Sequence, residues 1–128
     1  MERVTGMGGL FFRARDPEAL GRWYAERLGV TGPPGTDGGV PWWQEAGPTV
    51  FAPFSADTDY FGSPEQAWMP NFRVRDLDAM LAQLRAAGAD VEDKVQDEDY
   101  GRFGWVRDPE GNRIELWQPT ADGLEPPG

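Results

Sequence analysis

The side chains available for chemistry are unusually restricted in this chain of 128 residues. It contains no histidine and no cysteine. The commonest general base, the commonest metal ligand, thiolate metal sites and disulfide bonds are therefore all excluded. A serine triad is excluded as well, because Ser55 and Ser63 have no imidazole to activate them. Carboxylates, arginines, tyrosines and six tryptophans remain as candidate functional groups.

Acidic residues outnumber basic ones by 22 to 12, which gives a net charge of −10. This charge repels phosphate backbones, so no nucleic-acid partner is expected, while a cationic ligand is compatible with it. The acidic runs "ADTDY" and "EDKVQDED" lack the D-x-D-x-D-G spacing and the closing glutamate of a calcium loop. They are predicted to be solvated loop tips or strand edges.

The overall composition is that of a globular protein, with 39% apolar and 27% charged residues. The chain is long enough for one compact domain with a sizeable core. Its apolar runs are too short to span a bilayer, and the opening "MERVTG" has no secretory apolar region. A cytoplasmic protein without a membrane partner is the expectation.

The motif F-R-x-R-D occurs twice, starting at Phe12 and again at Phe72. Each copy lies at the end of a strand-like stretch, residues 6–14 and 67–75, and leads into an amphipathic helix pattern. The aspartates, Asp16 and Asp76, are typical N-caps. The first helix pattern contains Leu20, Trp23, Tyr24 and Leu28 and ends at Gly29; the second contains Leu77, Met80, Leu81 and Leu84 and ends at Gly88.

Further strands are predicted after each helix. "VPWWQE" and "TVFAPF" flank a turn and suggest a hairpin, and "RFGWVR" and "NRIELW" flank the strong turn Asp108-Pro109-Glu110-Gly111. "DVEDKVQDED" is predicted to be a strand with acidic edges, and Pro70 places its own strand at a sheet edge or bulge. Residues 31–39 are predicted to be a loop, and residues 55–66 a polar linker. The order strand, helix, strands therefore occurs twice, which indicates an internal duplication.

Three segments carry a resemblance to a known family: "FRARDPEALGRWYAERLGV", "NFRVRDLDAMLAQLRAAGADV" and "YGRFGWVRDPEGNRIELWQP". They resemble the vicinal oxygen chelate superfamily, which includes glyoxalase I, extradiol dioxygenases and the bleomycin-resistance proteins. The resemblance implies an α+β fold in which two tandem βαβββ modules form a curled mixed sheet around a shared cleft. Residues 1–119 would form this single domain, with modules at about 4–56 and 66–119, followed by a mobile tail at 120–128.

In the metal-dependent relatives, four ligands come from the first and last strands of the two modules. The resemblance carries these positions onto Gly9, Phe51, Met69 and Glu115. Only Glu115 offers a donor oxygen, and a single carboxylate cannot hold a divalent ion. We therefore predict a protein without a metal and without a cofactor.

Strand alternation then predicts which side chains face the cleft. If positions 9 and 69 point inward, Phe11, Arg13, Asn71 and Arg73 do too, together with Thr49, Arg113 and Trp117. Tyr100, followed by Gly101, is a candidate donor on a loop over the cleft or else a plain surface aromatic. The predicted ligand-binding set is Phe11, Trp42, Trp43, Phe51, Met69, Asn71, Tyr100, Arg113, Glu115 and Trp117.

Glu115 is the strongest candidate for a functional residue within this set. It is either a general base, an anchor for a ligand amine, or a remnant that forms a salt bridge with Arg13, Arg73 or Arg113. The tryptophans either fill the core or stack on a flat ligand.

Three functions follow from these alternatives. The favoured one is a metal-independent protein of the bleomycin-resistance type, which sequesters an aromatic or cationic compound and confers antibiotic resistance as a homodimer. The alternative is a metal-free lyase or isomerase that uses Glu115 as the acid/base, with Tyr100 or an arginine. In the third, the cleft is filled by its own side chains and the protein acts only through partners.

Overall fold

The computed structural model describes residues 1–32 and 41–127 and confirms the α+β class. Its two helices pack on one mixed sheet that is curled but not closed into a barrel. No helix in these ranges is both long and apolar enough to cross a membrane. The elements are α1 (Pro17–Leu28), β1 (Asn71–Arg73), α2 (Leu77–Ala86), β2 (Asp90–Val91), β3 (Gln96–Glu98), β4 (Gly101–Arg107), β5 (Arg113–Pro119) and a short 3-10 helix (Asp122–Leu124).

Both helices begin and end where the sequence predicts. The side chains of Asp16 and Asp76 each accept a hydrogen bond from the backbone N–H three residues later, at 3.1 and 3.0 Å, as N-caps do. Gly29 (φ 73°) and Gly88 (φ 80°) take the left-handed conformation just after the helices. The duplicated helix signal is confirmed in both copies.

The sheet is built around the predicted hairpin of β4 and β5, which pair antiparallel along their full length from Gly101↔Pro119 to Arg107↔Arg113. The strand order is β1-β5-β4-β2, and β3 pairs with β4. β1 runs parallel to β5 and lies at the edge of the sheet, where Pro70 predicted it. The acidic segment after α2 forms the short strands β2 and β3.

One face of the sheet holds the main core. The helix α1 contributes Leu20 and Tyr24 to this core. The helix α2 lies very close to β4: a Cβ placed on Gly104 would be 3.1 Å from Leu81. A larger residue at position 104 would therefore push α2 away from the sheet. The buried members of this core are Leu20, Tyr24, Leu77, Leu81, Leu84, Val106, Ile114 and Leu116.

The strands predicted for the first half of the chain do not form. Residues 6–14, 42–45 and 49–54 carry neither helix nor strand, and the side chains of Phe11, Trp43 and Phe51 are 94%, 85% and 84% exposed. At the turn of the predicted hairpin, the carbonyls of Glu45 and Pro48 instead accept hydrogen bonds from the Arg73 guanidinium.

The predicted strand at 67–75 is confirmed only over Asn71–Arg73, and the 3-10 helix at Asp122–Leu124 was not predicted. Most of the loop predicted at 31–39 lies outside the described residues.

Candidate functional site

The sheet face opposite the helices forms an aromatic floor, defined by Phe103, Trp105, Glu115 and Trp117. Phe103 and Trp117 are cross-strand partners, as are Trp105 and Glu115. The rings of Phe103 and Trp117 lie parallel, with 6.1 Å between their centroids and 2° between their planes. All four residues are buried, none more than 9% exposed. The predicted alternation holds in β5, since Ile114 on the same strand belongs to the helix-side core.

The Glu115 carboxylate is surrounded by three neutral donors. Its Oε1 accepts a hydrogen bond from Asn71 Nδ2 at 2.6 Å, and its Oε2 accepts from Trp105 Nε1 at 3.1 Å and from the Tyr60 hydroxyl. Among the described residues, no arginine lies within salt-bridge distance of Glu115. The salt bridge considered from the sequence is therefore wrong, because neutral donors satisfy the carboxylate instead.

Tyr60 is held in its neutral, donating form. Burial, followed by the hydrogen bond to Glu115 and the carboxylate's negative charge, raises the pKa of Tyr60 above its usual value of 10.0. Its ring stacks on Phe54, with 5.5 Å between the centroids, and meets Trp105 edge to face. The Tyr60 hydroxyl is thus a fixed donor to Glu115 at neutral pH.

Arg113 lies beside Trp105 and Tyr60, and its charge is paired with that of Glu92. Its Nε and Nη2 donate to the two Glu92 oxygens at 2.8 and 2.9 Å, and its Nη1 donates to the Tyr60 carbonyl. The guanidinium also lies 4.8 Å from the Trp105 ring centroid and 5.5 Å from that of Tyr60. The hydrogen bonds to Glu92 raise the pKa of Arg113, and those from Arg113 lower the pKa of Glu92.

The segment 55–66, which the sequence predicts to be a linker, belongs to the site. Gln66 Nε2 donates to the Arg113 carbonyl at 2.8 Å, and the Arg113 N–H donates to Gln66 Oε1 at 2.7 Å. The Gln66 amide thus bonds to the edge of β5 as a neighbouring strand would. Tyr60 was missed because its segment is polar overall, although two adjacent aromatics, Tyr60 and Phe61, interrupt that polarity.

An open cleft of about 2540 Å³ is lined by the floor residues Phe103, Glu115 and Trp117, by the first-half segments 6–12 and 41–58, and by parts of both helices. The first-half segments, called the far wall, include the exposed rings of Phe11, Trp43 and Phe51. Trp42 packs edge to face on Phe72 at 6.1 Å. Nine of the ten candidate ligand-binding residues line this cleft: Phe11, Trp42, Trp43, Phe51, Met69, Asn71, Tyr100, Glu115 and Trp117. The tenth, Arg113, does not.

Comparison with known proteins identifies the family. A family model described as a glyoxalase-like domain matches residues 9–117. The chain belongs to this family. The resemblance seen in the sequence is thereby confirmed, although no curated protein matches the chain in sequence.

The chain is similar to several solved structures, and TnmS3 shares the fold over nearly all of it. TnmS3, an antibiotic binding protein from Streptomyces sp. CB03234, is 25% identical over 94% of this chain and all of its own, with a TM-score of 0.60. The oxidase ChaP-H1 is 20% identical over 86% of this chain and 92% of its own, with a TM-score of 0.49. TioX from Micromonospora sp. ML1 is 32% identical, but the match covers only 41% of this chain and 43% of TioX, with a TM-score of 0.37.

The D-P-E-G-N turn of this glyoxalase-like domain is structural. Asp108 is 4% exposed and accepts hydrogen bonds from the Tyr24 hydroxyl at 2.8 Å and from Asn112 Nδ2 at 2.7 Å. The Glu110 carboxylate accepts from the backbone N–H groups of Arg15 and Asp16, at 2.7 and 2.9 Å. The turn therefore connects the start of α1 to the β4–β5 hairpin.

The four positions that hold metal in relatives of this glyoxalase-like domain do not fit a metal here. Glu115 supplies a carboxylate already bonded to three donors, while Gly9, Met69 and Phe51 supply no oxygen or nitrogen side-chain ligand. Within residues 1–32 and 41–127, no three His, Cys, Asp or Glu residues come together as a metal-binding group. A divalent ion would lack the ligands that its geometry requires.

Proposed function

We propose that this glyoxalase-like protein sequesters an aromatic or cationic small molecule in the open cleft, without a metal and without changing the compound. One observation carries the proposal: a nearly buried carboxylate, Glu115, is held by neutral donors in an aromatic floor at the base of an open cleft. Concave aromatic surfaces with a few converging polar groups are typical of small-molecule sites. The likeness to TnmS3, an antibiotic binding protein, supports the same reading.

The aromatic side chains supply most of the expected affinity. Each ring that stacks on a flat ligand or meets a cation contributes about 0.5–2 kcal/mol. The floor offers Phe103 and Trp117, while the far wall offers the exposed ring of Trp43. Binding between floor and wall would also cover rings that are otherwise exposed to water.

Metal-free catalysis by Glu115 is the second candidate, as a lyase or isomerase. Its support is that Glu115 faces the cleft, where it would reach a substrate proton. The carboxylate already accepts hydrogen bonds from Tyr60, Asn71 and Trp105. The likeness to TnmS3, an antibiotic binding protein, favours binding as the first candidate.

A homodimer is part of the proposal. In a single chain the first-half segments expose Phe11, Trp43, Val50 and Phe51, and such a group of apolar side chains is commonly covered by a partner or ligand. Sedimentation with and without ligand tests this assembly, and a monomer under both conditions would contradict it.

Tryptophan fluorescence tests binding directly. We expect saturable quenching with members of a panel of aromatic and cationic compounds, recovery of the compound unchanged, and no metal by elemental analysis. Trp117→Phe should weaken the quenching and the affinity, whereas Trp23→Phe on α1 should leave the affinity unchanged. Conversion of the compound by wild type but not by Glu115→Gln would instead establish the catalytic alternative.

A further inference from the structure

We infer that the compound bound in the cleft carries a hydrogen-bond donor, a phenol-type hydroxyl or a protonated amine, which Glu115 Oε1 accepts while the attached flat ring contacts the floor. This inference rests on the proposed function and adds the chemistry by which the ligand is recognised.

The hydrogen-bonding capacity of Glu115 is only partly used. A carboxylate offers about four acceptor positions, two on each oxygen. Among the described residues, Tyr60 and Trp105 both donate to Oε2, whereas Asn71 alone donates to Oε1. Relative to these donors, one acceptor position remains on Oε1, and both Asn71 and Glu115 line the cleft.

The negative charge of Glu115 disfavours ligand groups that only accept hydrogen bonds. The nearby cation, Arg113, directs the hydrogen bonds of its guanidinium to Glu92 and to the Tyr60 carbonyl. Among the described residues, Glu115 therefore accepts hydrogen bonds from neutral donors only, in a chain of net charge −10. A ligand group that only accepts hydrogen bonds, or that is anionic, would face an unpaired carboxylate at a cost.

The distance between the two recognition elements sets the size of the ligand. Glu115 and Trp117 lie two residues apart on the same face of β5, which corresponds to about 6.6 Å along a strand. Trp117 lies parallel to Phe103 on the neighbouring strand. A donor attached to a fused two-ring system spans this distance, so that the donor reaches Glu115 while the rings meet Trp117.

A pair of probes that differ only at the donor tests the inference. 2-Naphthol and 2-methoxynaphthalene share the same two rings, but only the naphthol has a hydrogen to donate. We expect wild type to bind 2-naphthol about ten-fold or more tightly than the ether, because hydrogen bonds to charged groups are worth about 1.5–3 kcal/mol. Isothermal titration or fluorescence quenching gives both dissociation constants.

Two matched variants locate the acceptor. Glu115→Gln removes the charge with little change in shape and should reduce the naphthol-to-ether ratio several-fold. Glu45→Gln makes the same change on the opposite wall of the cleft, at a side chain that is 75% exposed, and should leave the ratio unchanged. A ratio that falls only in Glu45→Gln would overturn the inference.

The outcomes for the inference and for the proposed function are distinguishable. Equal binding of the two probes by wild type would refute the donor requirement and leave ligand binding itself supported. If neither probe nor any compound of the wider panel binds, the proposed function fails. The wild-type ratio decides the inference even if Glu115→Gln does not fold, and circular dichroism checks the fold of each variant.

Discussion

The two copies of F-R-x-R-D share a local sequence but differ in what surrounds them. In the second copy, Phe72 lies in β1 opposite Leu116, and Arg73 binds two backbone carbonyls. In the first copy, Phe12 lies outside any strand and is 37% exposed. Both copies nevertheless lead into a capped helix. A helix closes its hydrogen bonds within its own segment, whereas a strand requires a partner.

This difference divides the candidate site into two unlike halves. The floor comes from β4 and β5 of the second half, where pairing on both sides fixes Trp105 and Glu115. The far wall comes from segments of the first half with exposed rings. We therefore expect substitutions in the floor to reduce stability, and those at the exposed rings of the far wall to act mainly on binding.

The largest effect is expected at equivalent helix positions. Leu84 of α2 is fully buried, so Leu84→Ala should lower the free energy of unfolding by about 2–5 kcal/mol. Tyr24 occupies the same register in α1, and Tyr24→Phe removes only its hydrogen bond to Asp108, at a cost of about 1 kcal/mol. Urea denaturation of both variants measures the difference; equal losses would show that the copies are equally critical.

A second, smaller loss is expected at the end of the floor. Gly101 has φ 140°, and a Cβ there would lie 2.4 Å from the Gln118 carbonyl oxygen and 2.5 Å from Trp117 Nε1. Gly101→Ala should therefore destabilise the fold by about 1–3 kcal/mol and alter the near-ultraviolet circular dichroism of the tryptophans. The control, Gly111→Ala, has φ 86° but open space around its Cβ, so its spectrum should stay unchanged; a change in both spectra would contradict the steric explanation.

The Arg113–Glu92 ion pair predicts that the stability of the fold depends on pH. Arg113 lowers the pKa of Glu92 below its usual value of 4.5, so the folded state binds fewer protons than the unfolded state in this range. The ion pair's contribution to the free energy of unfolding is fully present above the usual pKa of 4.5. It is lost as the pH falls through the lower pKa that Glu92 has in the folded state. We expect wild type to lose up to about 1 kcal/mol more than Glu92→Gln between neutral pH and about pH 3, since Glu92 is partly exposed. Thermal melts of wild type and Glu92→Gln across this pH range measure the difference. An equal loss of stability in the two proteins would contradict it.

The smallest effect on stability is expected at the far wall. Phe11 is 94% exposed, so Phe11→Ala should change the unfolding free energy by no more than about 0.5 kcal/mol. The same variant should weaken ligand binding or self-association, because either would cover the ring. A large loss of stability without ligand would show that the first half is packed as tightly as the second.

The sequence predicted both helices, the β4–β5 hairpin and the family from short-range signals. Asp16, Asp76 and the D-P-E-G-N turn are each recognisable within a few residues. The strands of the first half were predicted wrongly, because a short apolar and aromatic run such as "TVFAPF" is compatible with a strand but does not show that a partner strand is present. Met69, Asn71 and Glu115 were predicted together because strand alternation and the family register place them on one face.

The groups around Glu115 were only partly visible in the sequence. Tyr60 lies 55 residues before Glu115 in the chain, in a segment whose composition indicates a linker. Arg113 lies two residues before Glu115 on β5, so that alternation places both on one face, yet its guanidinium binds Glu92. No local pattern specifies which of two charged partners a long side chain will choose.

The amino-acid sequence by itself determined the absence of imidazole and thiol chemistry, the two helices and the family, because composition, caps and periodicity are local properties. The tertiary structure alone decided that Glu115 is held by Tyr60, Asn71 and Trp105, and that the two copies of one motif have different surroundings. The physical reason is that hydrogen-bond partners and strand edges from distant parts of the chain meet only after folding, so that their satisfaction depends on the whole molecule.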